Sequence, residues 1–109
     1  MDIPYHISNN VPVFEIPECE GALIMDDIDD FLRYLLNFKG KTQKIAFDMS
    51  SKSFLNSTGL GELVAIKDGL IDKGIELVLL NPSEKVESLI NMVGLDQFFS
   101  FVSSEDELI

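Results

Sequence analysis

The sequence predicts an α/β domain. Its sheet is mixed and mostly parallel, with four to five strands and an antiparallel hairpin at the N-terminal edge, and it carries three main helices and a short C-terminal helix. Three observations predict this. Apolar runs of strand length alternate with stripes of helical period along the whole chain, in the order β(β)αβαβαβα. Parallel neighbours require crossover connections, and the helical stripes fall where those crossovers belong. The chain has 109 residues, 46% of them hydrophobic, with no Gly/Ser/Pro-rich linker and no internal repeat, so residues 1–109 form one domain around one core. Three helices are enough to cover one sheet face rather than both.

The elements follow in order. Tyr5-His6-Ile7-Ser8 pairs with Val11-Pro12-Val13-Phe14-Glu15-Ile16 across Asn9-Asn10. Pro12 lacks an N–H and marks its strand as an edge. From Asp27 to Asn37, the residues Ile28, Phe31, Leu32, Leu35 and Leu36 recur at i, i+3, i+4, i+7 and i+8, one face of a helix. Lys44-Ile45-Ala46-Phe47-Asp48 is a short buried strand after a turn containing Gly40. From Thr58 or Gly59 to Lys73, Leu60, Leu63, Val64, Ile66, Leu70 and Ile71 form a second helical arc, with Gly74 where a left-handed C-cap is needed. Lys67 interrupts that arc and reads as an aliphatic stem snorkelling at its edge. Ile75–Leu80 is a central strand. Asn81-Pro82-Ser83 supplies a turn and N-cap, Val86, Leu89, Ile90 and Val93 a third stripe, and Gly94 its end. Phe98 to Val102 is the last strand. Ser103 and Ser104 then cap a small terminal helix whose Glu105, Asp106 and Glu107 complement its dipole.

Charge excludes several functions. Eight Lys+Arg against nineteen Asp+Glu give a net −11 and a pI near 4.2, so no basic patch exists to neutralise phosphates and nucleic acid is excluded as a partner. Cys19 and His6 are the only residues of their kinds, which rules out an internal disulfide and a Cys/His zinc shell. The N-terminus lacks a signal-peptide pattern and no apolar run exceeds four residues, so a cytoplasmic protein without a membrane segment is expected. Asp26, Asp27, Asp29 and Asp30 read as a solvated, dipole-complementary helix cap rather than a metal site. His6 reads as isolated, and Cys19, without an evident basic neighbour, as inert.

The informative segment runs from Phe47 to Leu63, joining a buried strand to a helix. Gly59 and Gly61 lie in the first turn of that helix, where each costs roughly 0.5–1 kcal/mol relative to Ala. Such glycines let another backbone or a bulky group approach the free N–H groups. No Lys follows them as in a Walker A loop and no third glycine stands at dinucleotide spacing, so no nucleotide cofactor is expected. Ser57 and Thr58 remain, with two roles open. Ser57 is either an N-cap satisfying the Gly59 or Leu60 N–H, or a phosphoacceptor whose ester would meet free amides and the positive end of the helix dipole.

Asn56-Ser57-Thr58-Gly59-Leu60-Gly61 resembles the Asp-Ser-Ser/Thr-Gly-Leu-Gly motif of the STAS domain of anti-sigma factor antagonists. Gly74-Ile75-Glu76-Leu77-Val78-Leu79, Asn81-Pro82, Val86, Leu89, Ile90, Gly94-Leu95 and Phe98 extend the resemblance over residues 40–103. It implies a STAS-like fold, Ser57 as phosphoacceptor with Thr58 as second choice, and Asp48 at the strand end near the docking surface. Asn56, Gly59, Leu60 and Gly61 would shape the same loop. It also implies an anti-sigma factor kinase with a histidine-kinase-like ATP-binding fold as partner, and a metal-dependent serine phosphatase acting on the phosphorylated form. Two departures stand out: Asn56 replaces the usual Asp, and Pro17-Glu18-Cys19-Glu20-Gly21-Ala22 replaces the family's Gly-Glu/x-Leu-Asp turn.

Three functions are therefore carried forward. The first is a regulatory binding protein, not an enzyme, switched off by phosphorylation at Ser57. The second is a STAS module that is never phosphorylated and serves as scaffold or subunit of a larger assembly, stressosome-like or lipid-transport-associated. The third, much the weakest, is a small enzyme using Asp48 with Ser57. Counted by segment, residues 1–38 carry −7, residues 39–73 carry +2 and residues 74–109 carry −6, so a phosphate on Ser57, at about −1.5 to −2, would cancel most or all of the charge of the one positive segment.

Overall fold

Asn9 and Asn10 both adopt positive φ (52° and 65°), and the tight turn they make folds strand β1 (Tyr5–Ser8) back onto β2 (Val11–Glu15), with Tyr5 opposite Phe14. The computed structural model describes residues 3–25, 27–38 and 43–108. β2 pairs on its other side with β3 (Lys44–Asp48), and β4 (Glu76–Leu80) and β5 (Ser100–Val102) complete a five-stranded sheet in the order β1-β2-β3-β4-β5, parallel beyond the hairpin. The edge is therefore β1, and β2 is interior despite Pro12. That proline precedes the first β2–β3 pair, Val13 with Ala46, so its missing N–H breaks no bond in that ladder.

Helices α1 (Ile28–Leu36), α2 (Ser57–Ile71) and α3 (Glu84–Met92) connect the parallel strands. Each crossover steps in the same direction along the sheet, so right-handed connections place all three helices on one face. Phe14, Ile45, Phe47, Leu77 and Leu79 of that face pack against Phe31 and Leu35 of α1, Leu63, Ile66 and Leu70 of α2, and Val86 and Ile90 of α3. Phe31 stacks on Phe47 with centroids 5.6 Å apart. Gly69 lets α1 close on α2, since a β-carbon there would lie 2.4 Å from a Leu32 methyl.

The opposite face carries smaller residues, Val11, Val13, Ala46, Val78 and Leu80, and is covered by the C-terminus. The expected terminal helix is a single 3₁₀ turn, Glu105–Glu107, which lays Leu108 on that cluster with no exposed surface. Glu105 anchors it: its carboxylate lies 2.8 Å from His6 Nε2, and its carbonyl accepts from Asn9 Nδ2 at 3.2 Å. His6 is thus paired rather than isolated.

Other boundaries shift for local reasons. Asp27 caps α1, accepting from the Asp29 and Asp30 amides at 2.9 and 3.2 Å, while Asp26 and the Gly40 turn lie outside the described residues. Gly74 and Gly94 take the left-handed conformation after α2 and α3, with φ of 74° and 78°. The last strand is shorter than predicted because the Phe98 amide bonds back to the Leu95 carbonyl in a turn, and buried Phe99 serves the core. Lys67 has its stem buried, 7% of the residue remaining exposed, with its ammonium over the Phe98 ring at 5.8 Å from the centroid. Among the described residues no helix is long and apolar enough to cross a membrane.

Candidate functional site

The carboxyl ends of the parallel strands carry loops 17–25, 49–56 and 81–83, the usual ligand-facing edge of such a sheet. Loop 49–56 leaves β3 at Asp48, whose Oδ1 accepts from the Ser50 amide (3.0 Å) and hydroxyl (2.7 Å). Asp48 therefore organises the start of the loop, and its carboxylate engages Ser50 rather than Ser57. That removes the pairing on which an Asp48–Ser57 enzyme depended. Asp48 also lines an open depression of about 270 Å³ with Ser50, Leu80, Asn81 and Glu105.

At the far end of the loop, Asn56 is extended and its Oδ1 accepts from the Gly59 amide at 2.8 Å. Asn56, not Ser57, is the N-cap, and α2 begins at Ser57, one or two residues earlier than predicted. A helix start has four amides without intrahelical acceptors. Here the Asn56 amide bonds the Gly21 carbonyl at 2.9 Å and the Gly59 amide bonds the Asn56 side chain. The amides of Ser57 and Thr58 are left over, on exposed residues whose hydroxyls have no hydrogen-bond partner among the described residues. Ser57 is thus released from capping and stands at the positive end of a fifteen-residue helix.

The two glycines have different reasons. A β-carbon on Gly59 would lie 2.0 Å from the Gly21 carbonyl oxygen, so the backbone that approaches α2 belongs to the chain itself. Around Gly61 nothing lies within 4 Å, and the fold makes no demand for glycine there. Leu60 is partly buried against the core beside them.

The approaching backbone is the turn Cys19-Glu20-Gly21-Ala22, closed by the Ala22 amide on the Cys19 carbonyl at 3.0 Å with positive φ at Glu20 (51°) and Gly21 (93°), as in a type I′ turn. Lys52, with no exposed surface, sits beneath it. Its ammonium donates to the carbonyls of Pro17 and Ala22, both at 2.7 Å, and burial lowers its pKa. Glu18 reaches across to loop 49–56, accepting from the Ser53 amide (2.7 Å) and hydroxyl (2.5 Å); these bonds hold its carboxyl below the usual range. Glu62 of α2 accepts from the Leu23 amide at 3.1 Å, and Ser83 donates to the Ser53 carbonyl at 3.2 Å. All three loops are laced together.

Lys52, Glu18, Gly21 and Glu62 were not singled out by sequence. The one visible signal was the departure of Pro17–Ala22 from the family turn, and a lysine facing it from 30 residues away carries no local signature. Cys19 does have a basic neighbour, the Lys52 ammonium. It is buried, its Sγ 3.5 Å from the Pro17 carbonyl.

A family model describing the STAS domain matches residues 4–108. The chain belongs to the STAS family. Solved structures agree on the fold. The crystal structure of the TM1081 protein of Thermotoga maritima, assigned as an anti-sigma factor antagonist, superposes with a TM-score of 0.71 at 21% identity, covering 97% of this chain and 90% of that one. The NMR structure of TM1081 gives 0.73 at 24%, covering 98% and 85%. The anti-sigma factor antagonist SpoIIAA, in its unphosphorylated form, gives 0.68 at 19%, covering 98% and 93%. In this STAS domain the Ser57 junction stands against a 17–22 turn anchored by Lys52.

Proposed function

We propose that this STAS domain is a regulatory binding protein of the anti-sigma factor antagonist type, not itself catalytic. It binds an anti-sigma factor serine kinase of histidine-kinase-like ATP-binding fold and loses that partner when Ser57 is phosphorylated. Thr58 is the second candidate acceptor, and a metal-dependent serine phosphatase resets the switch. The observation that carries this reading is the division of labour at the start of α2. Asn56 does the capping, and Ser57 stands exposed at the first helical position with two unused amides. A phosphate there adds about −1.5 to −2 charge where the helix dipole favours it, so modification would be tolerated by the fold while altering the surface a partner reads. Asp48 and Gly61, on the same loop and helix start, would border the docking surface.

The test is incubation with candidate anti-sigma kinases from the native host and ATP, followed by phosphosite mapping and a binding assay. Phosphate on Ser57, with binding weakened about tenfold or more in Ser57→Asp, is expected. Partner binding without phosphate at Ser57 or Thr58, unchanged in Ser57→Asp, would overturn the switch and leave the unphosphorylated scaffold.

A further inference from the structure

We propose that Lys52 is a positioning residue for Ser57: its buried ammonium clamps the 17–22 turn, and the clamped Gly21 carbonyl fixes the start of α2. The proposal rests on the phosphoacceptor reading for its consequence, but the clamp itself does not. Each link is a direct contact. Lys52 Nζ bonds the carbonyls of Pro17 and Ala22, the two ends of the turn, at 2.7 Å. Between them Gly21 turns its carbonyl onto the Asn56 amide at 2.9 Å and against Gly59, where no β-carbon fits. Asn56 in turn caps α2 through the Gly59 amide, one residue before Ser57.

The side chain is poorly chosen for filling space alone. Lys52 is wholly buried and, among the described residues, makes no ion pair; its bonds go to backbone carbonyls, with Glu18 and Glu62 acting only at longer range. An apolar residue of equal length would pack as well but leave the Ala22 carbonyl without a donor and the Pro17 carbonyl with only the weak Cys19 thiol at 3.5 Å. A charge kept in the interior at a desolvation cost, on two carbonyls flanking one turn, marks that turn's position as what the lysine secures.

The test compares Lys52→Met with Gly21→Ala, which distorts the same turn from its other side. Hydrogen exchange is read at the amides of Asn56 and Gly59, with Ala46 and Val78 reporting the sheet. Both variants should raise exchange at 56 and 59 by about tenfold or more while the sheet amides move less than about twofold. With the kinase that phosphorylates the wild type, Lys52→Met should lower kcat about tenfold at nearly constant KM, a split that loss of folded protein alone would not give. Unchanged exchange at 56 and 59, or exchange raised equally everywhere, overturns the clamp. An unchanged kcat overturns its role toward Ser57. If no kinase modifies the wild type, the phosphoacceptor reading and the role toward Ser57 fall together, while exchange still decides the clamp. Should Lys52→Met not fold, Lys52→Gln, with an amide donor on a shorter stem, is read against the same outcomes.

Discussion

The Gly21 carbonyl oxygen lies 2.0 Å from where a β-carbon on residue 59 would stand, so the 17–22 turn and the first turn of α2 meet backbone to backbone. Two glycines two residues apart in one helical turn should therefore respond in opposite ways. Gly59→Ala must push the turn away or distort the helix start, at a cost of about 1–3 kcal/mol. Gly61→Ala meets nothing within 4 Å and gains helix propensity, stabilising by about 0.5–1 kcal/mol. Urea unfolding of the two variants measures both signs. Equal effects would contradict the close approach at Gly59.

Asn56 holds the cap that the sequence had offered to Ser57. Asn56→Ala should lose about 1 kcal/mol, because the Gly59 amide then has no acceptor. Ser57→Ala should change stability by less than about 0.5 kcal/mol, since its hydroxyl has no hydrogen-bond partner among the described residues. Asn56→Asp keeps an acceptor in place and adds a negative charge at the helix start, a gain of a few tenths of a kcal/mol. Thermal melts of the three proteins give the order directly. A larger loss in Ser57→Ala than in Asn56→Ala would return the capping role to Ser57.

The fold was legible because its signals are local. Ile28, Phe31, Leu32 and Leu35 announce α1 by spacing alone, and Gly74 and Gly94 announce helix ends by the backbone angle they permit. The motif at 56–61 was legible for the same reason. What surrounds it was not. Lys52 earns its place from carbonyls at positions 17 and 22, and carbonyls are present at every residue, so no side-chain pattern reveals them. Gly59 looked like a ligand's glycine because its true neighbour, Gly21, lies 38 positions away in the sequence. Pro12 was placed on an edge by a rule that concerns one ladder bond, which the stagger between β2 and β3 happens not to require.

Leu108 covers the sheet face that the helices leave bare, and it has no exposed surface although it sits one residue from the end of the chain. Leu108→Ala should cost about 2–4 kcal/mol, as for a core leucine, because Val78 and Leu80 lose their cover and the site is filled from one side only. Met92, 81% exposed on α3, is the contrast: Met92→Ala should stay within about 0.5 kcal/mol. Denaturant midpoints with unchanged m-values would confirm the pair. A small effect at Leu108 would mean that the C-terminal turn frays away from the sheet in solution.

Acid should loosen the same turn and the loop lacing together. Glu105 is held below its ordinary value of 4.5 chiefly by its hydrogen bond with His6, Glu107 by bonds from Ser103, and Glu18 by bonds from Ser53. All three carboxyls release their protons more readily in the folded protein than in the unfolded chain. Between the folded value and 4.5 the unfolded chain therefore binds more protons, and stability rises with pH. Their contribution is complete above 4.5 and disappears as pH falls through the lowered folded values. Melting temperature followed from about pH 7 to about pH 3 should fall below that point, and the fall should be shallower in a Glu18→Gln/Glu105→Gln/Glu107→Gln triple variant. His6→Ala should flatten part of the Glu105 share while leaving the Glu18 share intact, because the two sites have no partner in common. An acid limb of the same steepness in the triple variant would show that these bonds are not held in solution.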